Sequence, residues 1–323
     1  MLVLDRGAGS VAHRQFGDFP SLLRTGDVVV LNVSRVLAAR LIGTRENGRP
    51  AEVLLVHPDT DGTWLAMVHP GGKLGVGRRV RFREEDGAEA AGTAEAEIVE
   101  VVGGGVRRIR FHGTDAHEVM ARWGKVPLPP YIRRSPDPED AERYQTVYAR
   151  VAGSVAAPTA GLHFTPAILD AVRARGAEVA EVTLHVGPGT FKPVEVEDLA
   201  HHVMHAEWYE VTPEAAETVN RVRANGGRVW AVGTTATRVL ESTASGGRVA
   251  AGSGWTSLFI YPPFEFRVVD ALLTNFHLPR STLLMLVAAL AGRDATMTAY
   301  HEAVRQGYRL YSYGDAMAVV PAG

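Results

Sequence analysis

The chain has 323 residues, 46% of them hydrophobic and 22% charged, with a net charge of −2, which fits a globular protein of about two domains and gives no general basic field for nucleic acid. Cysteine is absent, which excludes disulfides and thiolate metal sites and favours a reducing compartment. The amino terminus has no basic stretch followed by an apolar one, and no apolar run reaches the ~18 residues of a membrane span, so the sequence predicts a cytoplasmic protein.

The first predicted elements are strands at residues 2–4 and 28–31. The second strand is apolar at every position, which is typical of a strand buried on both faces. A polar cluster, residues 32–35, follows it and ends in Arg35. This cluster is either part of a site or an ordinary turn, and both interpretations stay open.

Residues 38–112 have a different pattern, in which short alternating segments are separated by Gly-rich or acidic turns without a helical period. Such spacing is typical of a small antiparallel barrel or sandwich. We therefore predict an inserted β-barrel domain at residues 38–112, within a discontinuous α/β catalytic domain made of residues 1–37 and 113–323. The low-complexity segment 84–97 is expected to form a solvated hairpin.

A helix is predicted next, at 115–123, and a stiff proline-rich segment follows at 127–132. Segments this dense in proline often mark the passage from one domain to another. Arg133 and Arg134 come directly afterwards, and they either contact RNA or belong to a solvated surface.

The chain is organised around residues 144–191, where two Gly-containing turns lie on either side of one helix and one strand. The first turn, residues 153–161, consists of small residues that let its backbone approach a ligand closely. The helix is predicted to begin after the N-cap candidate Thr165 and to end at Gly176. The strand leads into the second turn, residues 187–191. Candidate ligand contacts in and beside the two turns are Thr159, Gly161, His163, Phe164, His185, Gly187, Gly189 and Thr190.

From residue 212 onward helices and strands alternate, which predicts a largely parallel, barrel-like α/β arrangement with helices outside. Helices are predicted at 212–225, 281–290 and 297–306, and strands at 228–232, 255–260, 272–276 and 308–311. Ligands of α/β proteins bind beyond the carboxyl ends of parallel strands. Polar clusters follow several of these strands, so we expect one shared site. Its further members would be Thr234, Asn275, His277, Tyr313, Gly314 and Asp315.

A histidine-rich run, residues 201–207, has three interpretations. On a helix, His201 and His205 would share a face and could bind zinc. The zinc-protease pattern needs Glu directly after the first His, however, and His202 stands there. The other interpretations are a catalytic pair of His205 and Glu207 and a packing role, and we predict no metal.

Three common motifs are missing from the sequence. There is no G-x-x-x-x-G-K-[ST] phosphate loop, and the turn at Gly187 lacks the third glycine of a dinucleotide fingerprint. A G-x-S-x-G nucleophile elbow is absent as well. The chain therefore carries out a less common chemistry than the reactions that these three motifs support.

A set of longer blocks is more specific: 127–132 (PLPPYI), 144–149 (YQTVYA), 156–165 (AAPTAGLHFT), 182–191 (VTLHVGPGTF), 202–207 (HVMHAE), 231–235 (AVGTT), 274–284 (TNFHLPRSTLL) and 312–317 (SYGDAM). Together they span nearly the whole chain. In content and order they resemble the S-adenosylmethionine:tRNA ribosyltransferase-isomerase family of queuosine biosynthesis. The sequence departs from the family pattern in two places. The family usually has a carboxylate at the position of Val33. It also usually begins with a further segment before the run in which Met1 stands.

The resemblance implies an α/β barrel-like domain with an inserted β-barrel, acting as a monomer. It implies a reaction that moves the ribosyl part of S-adenosylmethionine onto 7-aminomethyl-7-deazaguanine at the tRNA wobble position. The products would be epoxyqueuosine, adenine and methionine. S-adenosylmethionine is then a co-substrate, no cofactor is expected, and the partner is the precursor-bearing tRNA.

Such a reaction needs a base and an acid near neutral pH, and histidine is the natural residue type. We hypothesise that the base is His185 or His205 and that the adenine-side acid is Asp315 or Glu207, with His277 as a further catalytic candidate. The two small-residue turns would hold S-adenosylmethionine. Candidate contacts to tRNA phosphates are Arg35, Arg133 and Arg134.

Rival functions remain from other classes of protein. One is a metal-dependent hydrolase that uses residues 201–207. Another is a non-catalytic RNA-binding module that uses the β-domain and the arginines. A third is a family member with lost or altered catalysis, which the departure at Val33 keeps open.

Overall fold

The computed structural model describes residues 1–59, 61–83, 92–103, 105–129, 131, 132, 134, 137, 139–187, 189, 194, 196 and 198–321. Its strands are β1 (Leu2–Asp5), β2 (Val11–His13), β3 (Val28–Asn32), β4 (Ser34–Val36), β5 (Arg40–Arg45), β6 (Pro50–Pro58), β7 (Trp64–His69), β8 (Arg79–Phe82), β9 (Ala94–Gly103), β10 (Val106–His112), β11 (Gly124–Lys125), β12 (Val151–Ser154), β13 (Glu178–Leu184), β14 (Glu207–Val211), β15 (Val229–Val232), β16 (Ala244–Ser245), β17 (Arg248–Val249), β18 (Gly252–Thr256), β19 (Ala271–Asn275) and β20 (Ala316–Val320).

The α-helices in the described residues are α1 (Ala116–Trp123), α2 (Asp140–Arg143), α3 (Pro166–Ala174), α4 (Pro213–Ala224), α5 (Gly233–Ser242), α6 (Thr282–Ala291) and α7 (Arg293–Arg305). Short 3-10 helices cover Phe16–Leu22, Gly71–Lys73, Thr159–His163 and Leu199–His201. The chain divides into two compact units, each described by itself below.

The first unit comprises Met1–Arg35, Gln145–Val151 and Ala157–Gly323. It contains a nine-stranded mixed sheet in the order β18-β14-β13-β3-β15-β19-β20-β1-β2. The four central strands β13, β3, β15 and β19 are parallel. By contrast, β20 is antiparallel to β19, and β14 is antiparallel to β13. The α/β class predicted from the sequence is confirmed.

The buried strands and the helix ends of this unit follow the sequence signals. Every residue of β3, β15 and β19 is buried, as expected for apolar strands covered on both faces. In α3 the hydroxyl of Thr165 accepts from the N–H of Ile168, and Pro166 occupies the first helical turn. Gly176 follows the helix at a φ of 77°, a backbone conformation that favours glycine.

The second unit comprises Val36–Tyr144 and Ala152–Ala156. Its strands run in the order β11-β5-β6-β7-β10-β9-β8, and pairing of β5 with β8 closes a six-stranded antiparallel barrel. At this closure a Cβ on Gly43 would lie 2.6 Å from the carbonyl oxygen of Arg81, so the close approach requires glycine. The predicted inserted β-barrel is therefore confirmed as part of the fold.

This second unit is longer than the expected segment 38–112. Helix α1 belongs to it because Val119 and Met120 pack into the barrel core. The sequence pattern of residues 115–123 predicts a helix, but it does not show which hydrophobic core that helix packs against. Of the expected hairpin at 84–97, residues 84–91 lie outside the described part of the chain.

Two strand predictions in the first unit are wrong. The predicted strand at 255–260 is instead β18, which ends at Thr256. The predicted strand at 308–311 is a loop, and the strand that follows it is β20. This loop closes on itself, because the backbone N–H of Asp315 donates to the carbonyl of Arg309 at 2.7 Å and the Asp315 carboxylate accepts from the Arg309 N–H at 2.8 Å.

A buried ion pair ties the sheet together at the amino ends of its central strands. Arg228, just before β15, donates to the Asp27 carboxylate at 2.6 Å, and Asp27 is 1% exposed. The indole of Trp230 donates to the same carboxylate at 3.3 Å. No single helix in the described residues is long and apolar enough to cross a membrane, and only α6 and α7, taken as a pair bent by 115°, pass on length and composition.

Candidate active site

A cleft that is open to solvent lies at the carboxyl ends of the central parallel strands. Its walls come from the loop that contains the Thr159–His163 helix, the end of β13, the start of α5, the end of β19 and α6. Most of the lining residues are small, which leaves the backbone close to any ligand. They are Ala157, Pro158, Thr159, Ala160, Val186, Gly233, Thr234, Thr235, Thr274, Asn275, His277 and Leu283.

The amino terminus of α5 forms one wall of this cleft. The helix starts directly after β15 at Gly233, whose φ is 87°, and no side chain caps it among the described residues. Asn32, fully buried at the end of β3, donates to the Thr235 hydroxyl at 3.1 Å and to the Leu184 carbonyl at 3.0 Å. Because the first N–H groups of a helix lack internal partners, this wall is suited to a negatively charged ligand group.

The end of β19 supplies the polar side of the cleft. The His277 ring nitrogen Nε2 lies 2.8 Å from the Thr274 hydroxyl, and the His277 backbone N–H donates to the Tyr300 hydroxyl at 2.9 Å. Burial lowers the pKa of His277 to about 3. His277 is therefore a neutral imidazole in the cleft at physiological pH.

Asn275 connects the cleft to the loop before β20. Its Nδ2 donates to the Tyr311 carbonyl at 3.1 Å and lies 3.2 Å from Nε2 of His163. The His163 ring stacks on Phe16 at 5.1 Å, and burial lowers the pKa of His163 to about 4 even though Asp315 acts in the opposite direction. Because β20 is antiparallel to β19, the start of β20 lies at the edge where β19 ends, which brings this loop to the site.

A second cluster adjoins the cleft through Val186. The Glu207 carboxylate accepts from the Gly187 N–H at 2.8 Å and forms an ion pair with Arg238 of α5. Both side chains are buried, with 4% of Glu207 and 5% of Arg238 exposed. Arg238 also donates from Nε to the Leu258 carbonyl at 3.0 Å. The turn after β13 is thus fixed to α5 by a buried carboxylate.

Two histidines belong to this second cluster. A Cβ on Gly189 would lie 2.3 Å from Cδ2 of His205, so the turn approaches that ring more closely than any other residue type would allow. The His185 ring stacks on Trp208 with centroids 5.1 Å apart. Tyr313 and Gly314 lie in the loop before β20, beside Asp315.

Gly161 and Phe164 support the cleft from behind its lining. A Cβ on Gly161 would lie 2.1 Å from the hydroxyl oxygen of Tyr148 and 2.7 Å from Cγ2 of Thr146, so glycine is required there. Phe164 is 2% exposed and packs edge-on against Phe19 in the core of the sheet unit.

The structure thus groups the predicted site residues in three sets. Thr159, Thr234, Asn275 and His277 line the cleft itself. The second cluster adjoins it, and the third set surrounds Asn275. The second set is His185, Gly187, Gly189, His205 and Glu207, and the third is His163, Tyr313, Gly314 and Asp315.

The predicted tRNA contacts have different environments. Arg35 is exposed on β4. Arg134 forms two hydrogen bonds of 2.5 and 2.7 Å to the buried carboxylate of Asp140, so its guanidinium serves the fold of the second unit. Arg133 and Thr190 lie outside the described residues.

The zinc interpretation of the histidine run assumed that His201 and His205 lie on one helix, and the structure does not show such a helix. Only the short helix Leu199–His201 is present there, and residues 202–206 are not helical, so His201 and His205 do not share a helix face. Within the described residues no group of three or more His, Cys, Asp or Glu is placed to hold a metal ion.

Two residues that were not among the named site candidates are central to this geometry, although Asn32 lies in the polar cluster 32–35. Arg238 could have been noticed as the one cation in the segment that forms α5, and Asn32 as the amide that ends an apolar strand. Neither signal identifies a partner. Their partners, Glu207 and Thr235, depend on how the strands align.

Comparison with known proteins gives consistent results over the full chain. A sequence model described as queuosine biosynthesis protein matches residues 1–319. The chain is 51% identical over 323 residues to the S-adenosylmethionine:tRNA ribosyltransferase-isomerase of Symbiobacterium thermophilum, covering 99% of this chain and 92% of that protein. Its identity to the protein of the same name from Moorella thermoacetica is 50%, with the same coverage. A crystal structure of S-adenosylmethionine tRNA ribosyltransferase from Thermotoga maritima matches with a TM-score of 0.53 and 36% identity, covering 99% of this chain and 91% of that one.

Proposed function

Because this chain belongs to the queuosine biosynthesis family of S-adenosylmethionine:tRNA ribosyltransferase-isomerases, we propose that it transfers and isomerises the ribosyl moiety of S-adenosylmethionine onto tRNA. The acceptor is the aminomethyl group of 7-aminomethyl-7-deazaguanine at the wobble position. The products are epoxyqueuosine in the tRNA, adenine and methionine. The main support is identity near 50% over 99% of the chain to proteins with this name.

The reaction begins at the ribose carbon next to the sulfonium. The positive sulfur acidifies the protons on that carbon, so a base positioned nearby removes one and starts opening of the ribose ring. Adenine leaves once it is protonated, and the neutral amine of the RNA base attacks. Closure of the epoxide then breaks the carbon–sulfur bond and releases methionine. The site must therefore supply a base, a proton donor and a closely fitting backbone.

S-adenosylmethionine would bind in the cleft with its carboxylate at the start of α5, where unsatisfied N–H groups favour an anion. The small residues Thr159 and Ala160 let the backbone come close to the nucleoside. His277 contacts the nucleoside as a neutral imidazole, consistent with its lowered pKa. This arrangement places the sulfonium near Val186 and the turn that follows it.

The base is His185 or His205. The His205 ring lies against Gly189 in the turn that follows Val186. His185 immediately precedes Val186, and its ring stacks on Trp208. Asp315 remains the candidate for the adenine-side acid. Glu207 was the alternative acid, but both of its carboxylate oxygens are engaged, by Gly187 and by Arg238. We therefore assign Glu207 a positioning role. Arg35 and Arg133 stay candidates for tRNA phosphate contacts. The enzyme would act as a monomer in the cytoplasm.

The decisive experiment is incubation with S-adenosylmethionine and precursor-bearing tRNA, followed by mass spectrometry of the digested nucleosides and measurement of free adenine. The expected result is epoxyqueuosine with an equal amount of adenine. Salt-sensitive tRNA binding without adenine release would instead identify an RNA-binding module. If His185→Ala and His205→Ala both keep wild-type turnover, the assignment of the base is wrong.

A further inference from the structure

Three aromatic side chains form a row across the edge of the nine-stranded sheet. Trp208 of β14 stands directly opposite Trp255 of β18 in the antiparallel register. On the other side, the His185 N–H donates to the Trp208 carbonyl at 2.9 Å, and the two rings stack with an interplanar angle of 19°. Residues opposite one another in neighbouring strands point to the same face. We call His185, Trp208 and Trp255 the aromatic row.

The row begins at the candidate active site and ends in solvent. His185 immediately precedes Val186, which lines the cleft. Trp208 is half-buried, and Trp255 is 54% exposed on β18, the terminal strand in the sheet order. The row is therefore a continuous aromatic surface that leads from the site to solvent, and contiguous exposed apolar surface marks interaction sites.

The row lies on the face of β14 that is turned away from α5. Side chains alternate along a strand, and the neighbouring residue Glu207 points toward Arg238 of α5. The row is therefore a surface separate from the wall that the start of α5 contributes to the cleft.

We propose that the aromatic row is a stacking platform for unpaired bases of the tRNA anticodon loop, with Trp255 as its outer member. This inference rests on the proposed function, in which the reacting base belongs to that loop. Bases in single-stranded loops are recognised by stacking on aromatic side chains, which is worth roughly 1–3 kcal/mol per base. A base next to the wobble position stacks on Trp208 and Trp255 while the wobble base enters the cleft.

The charge around the row favours stacking over attraction of phosphates. The adjoining positions on the same face are Thr183, Glu210 and Ser253, which include one carboxylate and no cation. A phosphate contact would therefore be unfavourable there. Loss of the platform should lower affinity for RNA by a similar factor at every salt concentration.

The test uses the full chain with an anticodon stem-loop that carries 7-aminomethyl-7-deazaguanine. We expect Trp255→Ala to raise the Kd for this RNA and the KM for tRNA roughly tenfold. The KM for S-adenosylmethionine and the slope of log Kd against log salt should stay unchanged. Trp255→Phe should restore most of the affinity, because it keeps an aromatic face.

Fluorescence supplies a second measurement that a purely structural role would not change. Stacking of a base should quench Trp255, so the quenching caused by the stem-loop should be reduced in Trp255→Phe although that variant still binds. Val304→Ala is the matched control, because Val304 is an apolar side chain on α7 that is 64% exposed. It should bind the stem-loop as the wild type does.

The outcomes separate this inference from the proposed function. If the wild type releases adenine and Trp255→Ala has wild-type affinity for the stem-loop, the platform is refuted and the function stands. If the wild type releases no adenine, the proposed function fails. A loss of self-association in Trp255→Ala with unchanged RNA affinity would show that the row binds a second copy of this chain, which also overturns the platform.

Discussion

At the scale of single residues, the most informative group is Glu207, because its burial and its partners distinguish two roles. An acid that protonates adenine needs an oxygen facing the substrate. Glu207 instead accepts from the Gly187 N–H and pairs with Arg238, itself bound to the Leu258 carbonyl. We infer that this carboxylate sets the position of the turn after β13.

The substitution Glu207→Gln tests this role. The amide oxygen can still accept from Gly187, so adenine release at saturating substrate should stay within about tenfold of wild type, with an unchanged pH profile. Removal of the charge leaves Arg238 buried without its counter-ion, which should lower the free energy of unfolding by roughly 3–5 kcal/mol. Adenine release and urea denaturation provide the two measurements.

A matched control is Glu178→Gln in the ion pair with Arg221, whose side chains are 40% and 48% exposed. Exposed pairs contribute less than about 1 kcal/mol, so this variant should unfold nearly as the wild type does. If Glu207→Gln folds but loses adenine release together with one limb of its pH profile, Glu207 is the acid after all.

At the scale of elements, the short helix Thr159–His163 is tightly packed at Gly161. Gly161 lies against the hydroxyl of Tyr148, and the space for even one methyl group is missing. The helix also presents Thr159 to the cleft and ends at His163, which is bound to Asn275. A displacement of this element should therefore alter the binding of S-adenosylmethionine.

We expect Gly161→Ala to raise the KM for S-adenosylmethionine at least tenfold and to lower stability by roughly 1–3 kcal/mol, the usual cost of overpacking. Adding Tyr148→Phe should recover part of the loss, because it removes the oxygen that clashes. Gly17→Ala is the control, since a Cβ there meets no atom within 4 Å. Wild-type KM values in Gly161→Ala would contradict the tight fit of this helix.

At the scale of the whole molecule, burial of neutral histidines makes stability depend on pH. The pKa of His163 is lowered to about 4 and that of His277 to about 3, whereas an unfolded histidine titrates near 6.5. The unfolded chain therefore binds more protons below pH 6.5. The stabilisation is complete above that pH and is lost as the pH falls toward 4 and then 3.

Urea denaturation at pH 7.5 and 5.5 measures this effect. Each buried imidazole should account for a loss of roughly 1 kcal/mol between the two pH values. His277→Gln should reduce the loss by about one such increment. Arg228 keeps the pKa of Asp27 below its usual value. This shift changes stability only below about pH 4, so it does not affect the comparison between pH 7.5 and 5.5. An identical pH dependence in wild type and His277→Gln would show that His277 is not buried as a neutral ring.

Much of this architecture could be predicted from the sequence because it follows from local patterns. Apolar runs revealed β3 and β15, and alternation revealed the inserted barrel. The loop before β20 could not be predicted, since Tyr308 and Tyr311 suit a strand and only the contact of Arg309 with Asp315 closes the loop. Candidate groups were found by residue type, but the partnership of Glu207 with Arg238 depends on strand register, which patterns do not give.

The barrel is inserted in the sequence between β3 and β13, two strands that pair in the sheet, and this order has a consequence for folding. The barrel strands β5 to β10 come from one uninterrupted stretch, so their contacts are local and should form early. The parallel pairing of β3 with β13, in contrast, closes a loop that contains the whole insertion. A barrel that forms first shortens that loop and lowers its entropic cost. Pulse-labelling hydrogen exchange during refolding should therefore find barrel amides protected before those of β3.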